Sequence, residues 1–283
     1  MTQQFSEIAR EAYVLRYPVL DVNVTLVVGA GRALVVDTLS TDAQAASLRS
    51  AVRDITRLPL CVVNTHHHFD HWFGNGVVAG PDTEVWAHEE TAARLARRLE
   101  EQREVWVAEW ARLNPELAAG MATATLRPPN RTVHMESTVD LGDRTVVLRH
   151  LGRGHTDGDL VVLVPDADLV LAGDLVEEGG PPMFGDGYPL EWPETLAALL
   201  RLMSPATTVV PGHGAIVDVD FVHAQHDQLT ALAWLIRDGH FDGAPVKAVA
   251  AKAVEALAAK APLDADAALV AVKRGYAELS GHA

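Results

Sequence analysis

The sequence predicts an α/β protein. Three observations carry this reading. Strand-like runs alternate with helix-like runs in both halves of the chain. The side chains suited to binding a metal sit just after the predicted strands. Beyond about residue 220 the chain reads as helix alone.

Residues 13–20, 22–28 and 33–37 are rich in β-branched side chains and are separated by Pro18 and Gly29-Ala30-Gly31, as short strands are. Thr41-Asp42-Ala43-Gln44 has capping-box form and opens a helix to about Arg53. Residues 60–64 and 84–87 are the next strands. Residues 88–113 predict one long helix with Leu95, Leu99, Val105, Trp106 and Trp110 as its apolar stripe, ended at Asn114-Pro115. An irregular connection is expected over 114–131. A second strand set follows at 139–141, 145–149, 160–164 and 169–172. Pro193 suits the first turn of a helix to Met203, and 208–210 is the last strand. Three helical faces close the chain, led by Leu229, Val246 and Leu269. The composition shift places a boundary between a main domain, 1–220, and a helical extension, 221–283. The extension is expected to pack on the main domain or to make the contact of a homodimer.

Bulk properties exclude several classes of function. The net charge of −15 makes an acidic surface that repels phosphate backbones, so no nucleic-acid partner is expected. Arg94, Arg97 and Arg98 lie among Glu89, Glu90, Glu100 and Glu101, which reads as a solvated helix face. Lys247, Lys252, Lys260, Lys273 and Arg274 read as exposed helix faces too. No apolar run approaches the length of about 18 residues that a membrane span needs. The first residues have no basic start and no apolar stretch, so a cytoplasmic protein is expected. The single cysteine, Cys61, lies in an apolar strand and is expected to be a buried small hydrophobe.

The chemistry concentrates in Thr65-His66-His67-His68-Phe69-Asp70-His71, after the strand ending at Asn64. Three further candidates follow strands: His155 in Gly154-His155-Thr156, Asp174 in Ala172-Gly173-Asp174, and His213 in Gly212-His213-Gly214. Glycines beside them permit tight turns and close backbone approach. His66 and His68, two apart, can point the same way from an extended segment, leaving Asp70 and His71 for a second centre. Imidazole suits zinc, iron and related metals, and a carboxylate can bridge two of them. Two ions about 3.5–4 Å apart can hold a bridging hydroxide and stabilise charge on a substrate oxygen.

At these residues the sequence resembles hydrolases of the metallo-β-lactamase superfamily. The pattern H-x-H-x-D-H, then H, D and H, matches His66, His68, Asp70, His71, His155, Asp174 and His213, within a resemblance spanning about 13–220. It implies an αββα sandwich with the site at one edge, so that 1–220 would be the catalytic domain. It implies that His66, His68 and His155 hold one metal, that Asp70, His71 and His213 hold a second, and that Asp174 bridges. Two divalent ions are expected, zinc first, with iron or manganese as alternatives. A bridging hydroxide would attack a carbonyl, with Asp70 as the catalytic residue that orients it or takes its proton. The bridging carboxylate resembles thioesterases of the glyoxalase II type and lactonases more than β-lactamases. The expected function is therefore hydrolysis of a small ester, thioester or lactone. A mononuclear iron dioxygenase resembling persulfide dioxygenases is the alternative, with β-lactam hydrolysis ranked lower, and a metal-binding protein without turnover is a third reading.

Beside the site, Asp37 is a candidate to orient a ligand imidazole. His67 is expected to point away as a bystander, and His88 either to cap a helix or to support a ligand from behind. His134, His150, His223, His226, His240 and His282 read as structural or surface residues. The glycine-rich stretch 177–188 is a candidate pocket wall, with Phe184 and Tyr188 supplying apolar contact to substrate. Trp72 and Phe73 either line the pocket or anchor the ligand loop in the core.

Overall fold

The computed structural model describes residues 4–257 and 263–281, so Lys260 and His282, like the first three residues, lie outside the described residues. The chain begins with four strands, β1 (Ser6–Ala9), β2 (Ala12–Tyr17), β3 (Val22–Val28) and β4 (Ala33–Val36). Helix α1 (Asp42–Ile55) and β5 (Leu60–Val63) follow, then the single turns α2 (Phe69–Trp72) and α3 (Asn75–Val78). Next come β6 (Val85–His88), α4 (Glu89–Trp110), α5 (Pro115–Ala122) and β7 (Arg131–Val133). The second half holds β8 (Glu136–Asp140), β9 (Thr145–Arg149), β10 (Val161–Val164), β11 (Leu169–Glu177), α6 (Trp192–Leu200) and β12 (Thr208–His213). Helices α7 (Val219–Phe241), α8 (Val246–Leu257) and α9 (Ala265–Leu279) close the chain.

The strands run in the order β7-β6-β5-β4-β3-β12-β11-β10-β9-β8, with β2 on β3 and β1 on β2. β3 and β12 meet at one paired position, Val22 with His213. Across this seam the hydrogen-bonded path folds into two facing halves. Side-chain alternation along the strands shows it. In β4, Ala33 and Val35 pack on one face with Leu48 and Val52 of α1. Leu34 and Val36 face the other way, into a core shared with Val146, Leu148 and Leu171 of the opposite half. In β11, Leu169 and Leu171 join that central core, while Val170 and Ala172 pack outward against α6–α9. The layers are thus helix, sheet, sheet, helix, the αββα arrangement.

Local chemistry explains most element boundaries. The Thr41 side chain accepts the Gln44 N–H, so Thr41 caps α1 as expected, while Gln44 reaches one residue past the cap and accepts the Ser40 N–H in place of the Thr41 N–H of a strict capping box. The long helix expected over 88–113 ends at Trp110 and is broken at Arg98, whose φ is −134°. The stretch 114–131 is only partly irregular. Asn114 caps the Leu117 N–H and Pro115 occupies the first turn, so the pair read as a terminator opens α5 instead. Cys61 is buried as expected, and burial pushes its thiol up to about 11.

Helices α7–α9 are not loosely appended. Val222, Leu229, Leu232 and Ile236 of α7 share one apolar cluster with Val176 of β11, Val209 of β12 and Leu196 of α6. None of the helices among the described residues is long and apolar enough to cross a membrane.

Candidate metal centre

The seam between the two half-sheets is where the candidate ligands converge. The stretch 66–71 leaves the end of β5 and runs straight into α2, whose Trp72, followed by Phe73, is fully buried with Leu95, Leu117 and Met121. Those two aromatics anchor the loop in the core and do not wall the pocket. The Trp72 indole N–H donates to the His67 carbonyl at 2.9 Å, pinning the middle of the motif. Gly173, with φ +54°, turns the chain before Asp174.

Seven donors from four segments meet here. His66, His68, His155 and Asp174 each offer an atom within 4.8 Å of the others, and so do Asp70, His71 and His213 as a second group. Asp174 lies between them. Its Oδ2 is 3.6 Å from His66 Nε2, 3.3 Å from His155 Nε2 and 3.3 Å from His213 Nε2, and its Oδ1 is 3.3 Å from His71 Nε2. Asp70 Oδ2 stands 3.5 Å from His213 Nε2 and 3.7 Å from His71 Nε2.

The outward-facing ring nitrogens are held by the protein. Asp37 meets His71 Nδ1 at 2.8 Å, as the sequence suggested, and also accepts the Thr65 N–H and hydroxyl at 2.8 Å each. His213 Nδ1 donates to the Leu20 carbonyl at 2.7 Å. His155 Nδ1 lies 3.2 Å from the Met183 carbonyl and 3.3 Å from Glu177 Oε1. His66 Nδ1 is 3.1 Å from the Thr65 hydroxyl. His68 turns its Nε2 to Asp186 at 3.0 Å. With these outer nitrogens engaged, the inner ones face a common point.

The donor set fits divalent cations. His66 Nε2 and Asp174 Oδ1 are buried with no hydrogen-bond partner, a state that costs about 1–3 kcal/mol per group unless something else binds there. Imidazoles and carboxylates without thiolate suit zinc, iron or manganese. In the metal-free protein, protons take the cations' place. Burial opposes charge on His155, yet the carboxylates of Asp174 and Glu177 carry it up to about 10. Burial likewise opposes charge on His213, and Asp174 and Asp70 carry it up to about 9. The sign follows from linkage. Protons on these raised imidazoles stabilise the metal-free fold fully below about pH 6.5 and are lost as pH rises through about 9 and 10. Chelator-treated protein is therefore expected to melt at lower temperature at pH 9.5 than at pH 6.5, and uptake of metal to release protons. Melting curves with and without chelator check both signs.

A cavity of about 1160 Å³ opens over the cluster. Helix α4 walls one side with Trp106 and Trp110, and the 177–186 loop walls the other with Met183 and Asp186. Phe184 and Tyr188, expected to touch substrate, are not among its lining residues. Phe184 is buried against Trp192 in the outer core, and Tyr188 lies under the Arg153 guanidinium at 4.2 Å. The loop turns its backbone and its acidic side chain to the cavity and uses its aromatics as anchors. Arg97 and Arg98 are exposed at the rim of the cavity, as a solvated helix face requires, whereas Arg94 is half-buried and pairs with Asp157 at 2.5 Å.

His67 belongs to neither of those two donor groups, and its Nε2 is 2.8 Å from Asp186. Asp186 and Glu177 were invisible to sequence reading as partners of the ligand histidines. The one local signal for Asp186 is its position in Gly185-Asp186-Gly187, where flanking glycines permit close approach. Gly212 has a comparable role: a Cβ there would stand 1.8 Å from Asp174 Oδ1. Gly212→Ala is expected to displace that carboxylate, lower metal content measured by elemental analysis, and destabilise the fold by about 1–3 kcal/mol.

The sequence model of the metallo-beta-lactamase superfamily matches residues 17–213. An acyl-coenzyme A thioesterase MBLAC2 of Gallus gallus is 28% identical over 166 residues, 56% of this chain and 58% of that protein. A metallo-beta-lactamase type 2 of Bacillus cereus is 29% identical over 85 residues, 29% of this chain and 33% of that protein. The chain thus spans less than two thirds of the length of either curated relative. A solved metallo-beta-lactamase from Pontibacter korlensis superposes with a TM-score of 0.64 at 20% identity, over 81% of this chain and 99% of that one, a likeness of fold.

Proposed function

The chain belongs to the metallo-beta-lactamase superfamily, and from that premise we propose that it is a dinuclear metal-dependent hydrolase of carbonyl substrates, an ester, thioester or lactone. One observation carries the reading: the Asp174 carboxylate lies between two complete sets of inward-facing donors, with Oδ1 left without a hydrogen-bond partner. His66, His68 and His155 would hold one ion, Asp70, His71 and His213 the other, and Asp174 both. When bound, such ions acidify a coordinated water and polarise a carbonyl.

The chain's own groups supply the rest. Asp70, at the cavity wall beside His213 and His71, is placed to orient a water and to hold its proton. Trp106 and Trp110 give an apolar flank for an acyl group and keep bulk water from the reacting carbonyl. A cavity of this volume takes a substrate larger than a simple short-chain ester. The likeness to an acyl-coenzyme A thioesterase supports ranking a thioester first among the three classes.

The test is elemental analysis of protein purified without added metal, together with turnover of a panel of thioesters, esters, lactones and β-lactams. About two zinc per chain and turnover of a thioester or ester are expected. One iron per chain with oxygen consumption on a persulfide would replace the hydrolase reading with a dioxygenase. Bound metal without turnover of any panel member would leave a metal-binding protein.

A further inference from the structure

The geometry points to Asp186 and Arg274 as positioning residues for one half of the metal centre, with helix α9 holding the loop that aims His68 and His155. This rests on the metal-centre reading above and adds a task for the C-terminal helices.

The contacts form a chain. Arg274 on α9 donates through Nε to the Gly187 carbonyl at 3.0 Å and through a terminal nitrogen to the Asp186 carbonyl at 3.3 Å. Its guanidinium also lies 5.5 Å from the centre of the Tyr188 ring, whose other neighbour is the Arg153 guanidinium. The Tyr188 N–H donates to the Gly154 carbonyl at 2.8 Å, one residue before His155. Gly187 packs so closely on this turn that a Cβ would lie 3.2 Å from the Gly154 carbonyl oxygen and 3.3 Å from that of His155. From the same loop, the Met183 carbonyl meets His155 Nδ1. The Asp186 carboxylate spans two adjacent imidazoles, His67 at 2.8 Å and His68 at 3.0 Å.

The consequence for His68 is a choice of tautomer. Its Nε2 faces an acceptor-only carboxylate, so the ring proton sits there. Nδ1 is then left with its lone pair, and it faces His155 Nε2 at 2.9 Å, inside the first donor group. Histidine ligands depend on such a partner for ring orientation and basicity, and its loss typically weakens metal binding by about 10- to 100-fold. Arg274 acts one step further out. Its hydrogen bonds go to the Asp186 and Gly187 carbonyls and fix the backbone from which the Asp186 carboxylate reaches. Side chains on a helix more than sixty residues beyond the last candidate ligand are thereby tied to the first metal position.

Three variants of the full chain test this: Asp186→Ala, Asp186→Asn and Arg274→Gln. The probe is zinc alone, titrated into chelator-treated protein against a competing indicator, with circular dichroism and melting of the metal-free form as a folding control. Wild type is expected to bind two equivalents. Asp186→Ala should weaken one equivalent about 10- to 100-fold and leave the other unchanged. Asp186→Asn and Arg274→Gln should weaken the same equivalent by less. Imidazole ¹⁵N shifts of the metal-free protein supply a readout that general loosening would not move. His68 should carry its proton on Nε2 in wild type and lose that preference in Asp186→Ala. Two unchanged equivalents in well-folded variants would overturn this inference and leave the metal centre standing. A wild type that binds no zinc would overturn both.

Discussion

Replacing Asp174 with Asn is expected to lower activity by at least about a thousandfold, about 4 kcal/mol of transition-state stabilisation, and to reduce bound metal from about two ions per chain to about one. Asp174 is placed within reach of donors from both sets. An amide keeps the shape but presents an N–H₂ on one side, which cannot bind a cation, and it removes the negative charge. The electrostatic consequence is as large as the coordinative one. Burial alone would raise the Asp174 carboxyl, yet His71 and His213 foremost hold it well below the usual carboxylate range. The same carboxylate is what lifts His155 and His213. In Asp174→Asn both imidazoles should titrate closer to their ordinary value near 6.5. Elemental analysis, turnover and histidine titration by NMR read the three effects separately. Unchanged metal content and unchanged turnover would remove Asp174 from the proposed bridge.

Ending the chain after residue 218, before α7, is expected to give an insoluble or unfolded protein. The cut would uncover the outer face of the second half-sheet and α6, where Val176, Val209 and Leu196 pack against Val222, Leu229, Leu232 and Ile236. Each buried aliphatic side chain of this kind contributes about 1.5–3 kcal/mol. Losing several at once exceeds the roughly 5–15 kcal/mol by which a domain is stable. A milder version keeps the chain whole: Ile236→Ala should cost about 2–5 kcal/mol, read as a shift in denaturation midpoint. A soluble, cooperatively folding 1–218 fragment that binds two zinc ions would show instead that the helices are dispensable. The boundary near residue 220 between a catalytic domain, 1–220, and a helical extension packed on it, 221–283, would then also be a boundary of independent folding.

The sequence by itself determined the candidate donor set, whose members the structure brings together, and the strand framework that presents it. His66, His68, Asp70 and His71 are legible because they sit together after one strand. His155, Asp174 and His213 are legible because each stands beside glycine near a strand, although only His155 follows its strand: Asp174 lies inside β11, which runs on to Glu177, and His213 is the last residue of β12. Strand alternation is local physics, and a turn of a few residues at a strand end leaves little freedom in where a side chain emerges. The same locality explains the reading of Thr41 as a cap and Cys61 as core.

What only the tertiary structure decided lies in the groups that face the donors from elsewhere in the chain. The partner of His68 is Asp186, 118 positions away, and the brace on Asp186 is Arg274, a further 88 positions on. No periodicity links them, since each pairing depends on how a glycine-rich loop closes over β12, β5 and α9. Phe184 and Tyr188 fail as pocket walls for the same reason. In an irregular loop there is no alternation to say which side chain turns inward: Phe184 is buried in the outer core, and Tyr188 is buried beneath the Arg153 and Arg274 guanidinium groups. Asn114-Pro115 marks the limit of local reading too. The same pair can stop one helix or start another, and the apolar pocket that receives Leu117 and Met121 beside Phe69 and Trp72 decides for a start.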